Sequence, residues 1–258
     1  MVTPRANSHP RTEASVVHAP HAVLDEYYAT EATRRGFVGA LFDSTASDYD
    51  RVERVLGWGT GPWYRRQALV RAGLAPGMHV LDVAIGTGLV TREAQRVLAG
   101  RGSIIGLDPS SGMMRAFGGV MPVPLVQGRA EALPFPDASF DFLALGFALR
   151  HMADLAHVFS EFRRVLKPGG RALLMEITRP GGRVATALAR TYFRTIVPGL
   201  AKLVARNAET PMLFRYYWDT IEACAPPEKV LATLRAVGFV GVDRHLEVGI
   251  FSEYRGTA

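Results

Sequence analysis

Arg150 and His151 follow the apolar run "FDFLALGFAL" and set a permanent cation beside an imidazole that titrates near neutral pH. At the end of a buried strand, such a pair could stabilise a developing oxyanion and take a proton from the molecule that carries it. Each residue also has a plainer role open to it. Arg150 could form an ion pair with Glu176 or Asp154, and His151 could be a histidine with satisfied ring nitrogens at the start of a helix. A second set lies upstream in "HVLDVAIGTGLV", where Asp82 is followed by Ala84, Gly86, Thr87 and Gly88. Asp108 closes "SIIGLD", 20 residues beyond Gly88. Glycines in a strand-to-helix turn let the backbone approach a ligand with no Cβ in the way. A carboxylate ending the next strand can accept both hydroxyls of a ribose.

Apolar runs and turn residues predict the elements that must position these groups. Strands are expected over 80–84, 103–108, 123–126, 140–146 and 171–177, the last after the stop "KPGG". Helices are expected over 89–98, from Pro109-Ser110 onward, over 155–166 and over 227–237. Residues 24–74 carry a helical pattern, 183–221 another, and "GVDRHLEVGIFSEYRG" reads as a hairpin closing one sheet edge. Strands alternating with helices predict an α/β fold, a doubly wound and mostly parallel sheet. Residues 1–23 are expected to be a flexible extension, 24–75 a helical N-terminal cap, and 76–258 the core domain, with 179–225 as a helical lid over the substrate.

The bulk properties narrow the function classes. A chain of 258 residues with 48% hydrophobic content can build one large domain with a cap. Its net charge of +6 suits a nucleic acid, an anionic membrane surface or an acidic substrate, or merely an arginine-rich composition. The single cysteine, Cys224, excludes an internal disulfide and an all-cysteine metal site, and no metal is expected. The longest apolar run, 140–149, is too short to span a bilayer, and the amino terminus lacks the apolar core of a secretory signal. A cytoplasmic protein is the resulting expectation.

Two adenosine-bearing occupants suit the glycine turn: a dinucleotide and S-adenosylmethionine. A dinucleotide fingerprint needs glycine at its first, third and sixth positions, which here hold Ala84, Gly86 and Leu89. No Gly-Lys-Ser/Thr follows, so a P-loop is excluded. The pattern acid-x-Gly-x-Gly-x-Gly is met by "DVAIGTG" with Ala84 in place of the first glycine. Further along, "RAEALPFPDASFDFLALGFALRH" and "RVLKPGGRALLMEIT" resemble the class I methyltransferase layout, and specifically the ubiquinone/menaquinone C-methyltransferase family, UbiE/MenG. "FDSTASDYD" and the terminal "YRG" extend the resemblance from Phe42 to the end of the chain. It implies a seven-stranded Rossmann-like sheet with a helical insertion after the fifth strand, and S-adenosylmethionine as cofactor. It also implies cofactor contacts at Thr87, Asp108, Arg129, Ala130 and Gly146, in addition to the turn residues Asp82, Ala84, Gly86 and Gly88.

The resemblance is weaker on the acceptor side. Arg150 is kept where the family reads "FGLRN", but His151 replaces the asparagine. Val52 and Glu53 replace Met-Asn, Gly57 replaces Ser, Gly61 replaces His and Tyr64 replaces Trp. Tyr49 falls in the helix that covers the cofactor, as a substrate contact or a packing residue. Between 177 and 208 the chain holds Arg179, Arg183, Arg190, Arg194, Lys202 and Arg206 and no acid. That segment reads as a lid resting on an anionic membrane through 179–206, as an anion site for the acceptor, or as a solvated basic face. The resemblance therefore implies methylation of a small acceptor, either a lipophilic quinol or related phenolic, or a different acceptor of specialised metabolism. A non-catalytic cofactor-binding scaffold is a more distant reading. No motif for holding a flipped base occurs, so nucleic acid is not an expected partner; a homodimer stays open.

Overall fold

The computed structural model of the protein describes residues 16–56, 59–118, 121–204 and 207–258. Two helices, α1 (Glu31–Leu56) and α2 (Gly61–Arg71), precede the sheet. There follow β1 (His79–Val83), α3 (Leu89–Leu98), β2 (Ser103–Asp108), α4 (Ser111–Phe117), β3 (Leu125–Gln127) and β4 (Phe140–Gly146). A 3-10 turn over Leu149–His151 leads to α5 (Leu155–Val165) and β5 (Leu166–Ile177). Next come α6 (Arg183–Thr191), a π-helical turn (Tyr192–Ile196), α7 (Val197–Val204) and α8 (Thr210–Ala223), the segment expected to form a lid. The chain ends with α9 (Pro227–Ala236), β6 (Val240–Glu247) and β7 (Phe251–Thr257).

The seven strands form one sheet in the order β3-β2-β1-β4-β5-β7-β6, parallel except for β7, which runs antiparallel to both neighbours. This is the class I methyltransferase arrangement, with the chain reversing direction between β1 and β4, where such sheets bind ligands. Because side chains alternate along a strand, the central strands feed two cores. Leu81, Val83, Leu143, Leu145 and Leu174 pack with Phe159, Phe162, Val230 and Leu234 from α5 and α9. Val80, Phe142, Ala144, Leu173 and Met175 pack on the opposite face with Tyr64, Ala68, Leu69, Val90 and Ala94 from α2 and α3. Burial on both faces explains why these strands read as continuous apolar runs.

The boundaries depart from expectation where backbone geometry intervenes. Ala84 is not the last residue of β1; it leaves the strand with φ 54° and starts the glycine turn. β3 is displaced to Leu125–Gln127, and "KPGG" lies inside β5, where pairing with β4 jumps from Leu166 to Arg171. Residues 183–221 are not one helical stretch but three helices and a π turn.

The extension expected to be flexible over 1–23 is packed where it is described. Val17 is buried and joins the core, its amide donates to the Thr233 hydroxyl, and His18 and Pro20 carbonyls accept from the Leu155 and Ala225 amides. His21 is buried against Arg34. Its proline-rich polar composition concealed a strap whose backbone finds partners on α5 and beyond α8. Residues 1–15, Gly57 and Arg206 lie outside the described residues.

Candidate active site

The carboxyl ends of β1, β2 and β4 border one crevice. Ala84, Gly86, Thr87, Asp108, Arg129, Ala130 and Gly146 line it, and Tyr49 and His151 face them from the acceptor side. The turn that builds it is strained. Ala84 at φ 54° and Phe147 at φ 60° hold left-handed backbone without being glycine, at the ends of β1 and β4. Gly88 has φ 83°, and a Cβ there would stand 2.2 Å from the Phe117 ring. Only glycine satisfies both conditions. Gly88 thereby supports the turn from behind and does not line the crevice.

Asp108 organises the floor. Its carboxylate accepts from the Gly86 amide at 2.8 Å and the Ser110 amide at 2.8 Å. Burial raises its pKa, partly opposed by these two N–H donors. Two amides use only part of a carboxylate's four acceptor sites, leaving capacity for a ligand's hydroxyls. Helix α1 is tied over the same crevice by two aspartates seven residues apart. Asp43 accepts from the Ser110 hydroxyl and the Gly112 amide, the latter at 2.8 Å. Asp50 accepts from the Thr87 hydroxyl and from Arg92 at 2.9 Å. A Cβ at Gly112 would lie 2.7 Å from the Asp43 backbone, so glycine permits this close approach. The spacing of seven, two helical turns, was the available signal for the clamp.

S-adenosylmethionine fits this crevice. At Gly86 an added Cβ would meet only the Ala84 carbonyl, at 4.0 Å, so glycine leaves open space for a ligand against the turn. The adenosine would lie between Asp108 and the Arg129-Ala130 segment. Ala130 is buried there, while the Arg129 guanidinium pairs with Glu131 at 3.1 Å. Gly146 has no room for a Cβ, which would lie 2.6 Å from Val90.

Asp82 is fully buried beneath the turn. It accepts from the Thr91 hydroxyl with one oxygen, while its Oδ1 has no partner. Burial pushes its pKa up to about 7 from 3.8.

Arg150 does not line the crevice. Its guanidinium forms an ion pair with Glu176, both side chains 1% exposed. It also donates to Thr220 Oγ1 at 3.1 Å and the Phe147 carbonyl at 2.8 Å, and lies 4.7 Å from the Tyr217 ring centre. Of the two ion pairs open to it from sequence, that with Glu176 forms. Asp154 instead caps α5 and pairs with His18.

His151 does line the crevice. Its Nδ1 meets the Tyr216 hydroxyl at 3.4 Å, its ring stacks on Tyr216, and its buried Nε2 has no partner. Burial, reinforced by the charges of Arg150 and Arg34, holds its pKa well below 6.5, so the ring is neutral. The same lining carries Val38, Phe42, Tyr49, Phe147, Met152 and Tyr217, together with Glu31, Arg34 and Arg35 of α1. Sequence reasoning missed Phe42, Tyr217 and the buried Arg34, because α1 and α8 meet only in the folded chain.

Two exposed arginines of the segment after β5 pair with acids elsewhere in the chain. Arg190 pairs with Glu222, and Arg194 with Asp219 at 3.1 Å and Glu26 at 3.4 Å. These acids lie outside the acid-free window of 177–208. Val184, Leu188 and Leu203 are 75%, 68% and 82% exposed. Among the described residues no helix is long and apolar enough to cross a membrane.

The model of the ubiE/COQ5 methyltransferase family matches residues 29–258. The ubiquinone/menaquinone biosynthesis C-methyltransferase UbiE of Pseudoalteromonas translucida is 30% identical over 234 residues, 88% of this chain and 92% of that protein. The protein of the same name from a Marinomonas species is 31% identical over 227 residues, 85% and 89% of the two chains. Among solved structures, a SAM-dependent methyltransferase from Aquifex aeolicus superposes with a TM-score of 0.59 at 18% identity, covering 83% of this chain and 97% of that one. One from Mesorhizobium loti gives 0.54 at 19% identity, covering 78% and 99%.

Two outcomes follow from the buried charges. Arg150→Met leaves Glu176 uncompensated and is expected to cost about 3–5 kcal/mol in denaturant unfolding, most of it regained in Arg150→Met/Glu176→Gln. For Asp82, the unfolded chain releases its proton near 3.8 and the folded chain near 7, so stability declines as pH rises between these values. Asp82→Asn should remove that decline, giving a higher melting temperature than the unaltered protein at pH 8 and little difference at pH 4.

Proposed function

The chain belongs to the ubiE/COQ5 methyltransferase family, and on that premise we propose that it methylates a ring carbon of a lipophilic quinol or related phenolic. It is an S-adenosylmethionine-dependent methyltransferase. The observation that carries the acceptor class is the aromatic part of the crevice lining, Phe42, Tyr49, Phe147 and Tyr217, with Phe42 and Tyr217 against the His151 ring, whose Nε2 has no partner.

When bound, the cofactor supplies an activated methyl group on a sulfonium sulfur. The protein's part is alignment and exclusion of water. The aromatic side chains would hold the acceptor ring in the plane that exposes one carbon to the cofactor side. His151 Nε2, neutral and without a competing donor, would accept the hydrogen bond of the acceptor's hydroxyl. That polarises the O–H bond and raises electron density at the ring carbon. Burial, with Arg150 and Arg34, opposes full proton transfer to His151, so its role is hydrogen-bond acceptance, and the proton that the methyl group displaces from the ring carbon passes to water as the ring regains its aromaticity. Arg150 acts through Glu176, Thr220 and Tyr217 as a positioning residue for His151.

A second reading, a different small or anionic acceptor of specialised metabolism, is favoured by one feature. Gly61 stands where the family carries histidine, and a side chain there would meet Arg65 and Glu53 at the crevice edge.

The lid supports a further part of this proposal. With Arg190 and Arg194 engaged by α8, the apolar face of α6 and α7 would rest on a membrane and receive an acceptor with a lipid tail.

Labelled methyl transfer from the cofactor to a prenylated quinol, with mass analysis placing the label on a ring carbon, tests the reading. Label appearing only in a non-phenolic small or anionic molecule of a metabolite extract would replace it with the second one. His151→Phe is expected to leave S-adenosylhomocysteine affinity within about twofold while lowering turnover about a hundredfold; unchanged turnover removes His151 from the reaction. Flotation with vesicles of anionic phospholipid should recover the unaltered protein and not Leu188→Asp/Leu203→Asp. Equal recovery of both would refute the membrane contact.

A further inference from the structure

Arg34 and Arg35 meet the crevice side by side, and each has guanidinium donors unused. They share one face of α1 with Val38 and Phe42, at the three- and four-residue spacing of a helix. Arg34 is 3% exposed and held by several bonds. Its Nη2 donates to the Arg150 carbonyl at 2.8 Å and the Met152 carbonyl at 3.3 Å, and its Nη1 donates to Glu31 at 3.0 Å. Its Nε is buried and finds no acceptor. A desolvated guanidinium N–H without an acceptor is costly, and an anionic acceptor satisfies it most strongly.

Arg35 adds a second charge at the same end of the crevice. It is exposed and, among the described residues, has neither an ion pair nor a hydrogen bond. The other arginines of the lining are engaged, Arg65 with Glu53 and Arg129 with Glu131. Glu31, one helical turn before Arg35, pairs with Arg34 instead.

These donors select the occupant. A neutral group would leave the charge of Arg35 unmatched. A carboxylate offers one oxygen to Arg34 Nε and the other to Arg35. A phosphate would bring a second negative charge against Glu31, which lines the same end. We infer that Arg34 and Arg35 form a carboxylate subsite, and that the acceptor is a phenolic acid with its hydroxyl at His151 and its carboxylate at α1. Its hydroxyl end rests on the proposed phenolic reading, its carboxylate end on α1 alone. Arg34 is tied to the carbonyls on either side of His151, so one short loop positions the partners of both ends.

Calorimetry on the protein saturated with S-adenosylhomocysteine, using 2-naphthoate, 2-naphthamide and 2-naphthol, separates the two ends. The acid is expected to bind about tenfold more tightly than the amide. Arg35→Gln alters an exposed side chain and should weaken the acid about tenfold while leaving the amide within about twofold. Equal affinity of acid and amide, no binding of the acid, or an acid affinity unchanged in Arg35→Gln would overturn the subsite. Naphthol carries the hydroxyl without the acid. Its binding, with no preference for acid over amide, sinks the subsite and spares the phenolic reading. A preference for the acid that Arg35→Gln abolishes upholds the subsite, and absence of naphthol binding then counts against the hydroxyl at His151.

Discussion

The ion pair between Arg150 and Glu176 is the constraint around which the acceptor half is assembled. Glu176 ends β5 and Arg150 lies in the turn after β4, so the pair locks two neighbouring strand ends. The same guanidinium reaches Thr220 and Tyr217 of α8, and the Arg150 carbonyl accepts from Arg34 of α1 at 2.8 Å. Arg34 in turn contacts His21 of the amino-terminal strap. Sheet, lid, cap and strap thus meet at one buried charge. A charge taken out of water must be surrounded by acceptors at fixed positions, which makes the junction specific as well as costly.

The cofactor half uses a different device. Its turn holds Ala84 and Phe147 in left-handed backbone, a strain that packed neighbours must sustain. Part of that support comes across the crevice from α1, whose Asp43 and Asp50 bind the start of α4 and the glycine turn. Residues of α1 thereby line the crevice together with the strand ends. Asp82 and Arg65 each keep buried polar atoms without a protein partner close to this turn.

Helix α6 departs from the usual amphipathic order, since none of its residues is buried. A surface helix normally places its charges in water and its apolar stripe on the core. Here Arg190 and Arg194, themselves exposed, pair with acids of α8, while Val184 and Leu188 stand in solvent. The arginine cluster seen in sequence is real, and two of its members find partners on α8.

The central sheet and the glycine turn were legible because local signals suffice for them. A strand buried on both faces must be apolar throughout, as 140–146 is, and a left-handed turn selects glycine at Gly86 and Gly88 whatever surrounds it. Asp108 was readable for the same reason, since it ends a strand at a set distance from that turn. What only the tertiary structure decided is where each long-range partner lies. Arg150 became a buried anchor because Glu176, 26 residues away, and Thr220, 70 away, enclose it. Residues 16–23, too short an apolar run to announce an element, joined the core because α5 and α9 offered partners to the strap and a place to Val17. Arg65 gave no sign of its free donors, for the role of a guanidinium depends on which acceptors the fold brings within 3 Å or so, and sequence spacing carries no record of them.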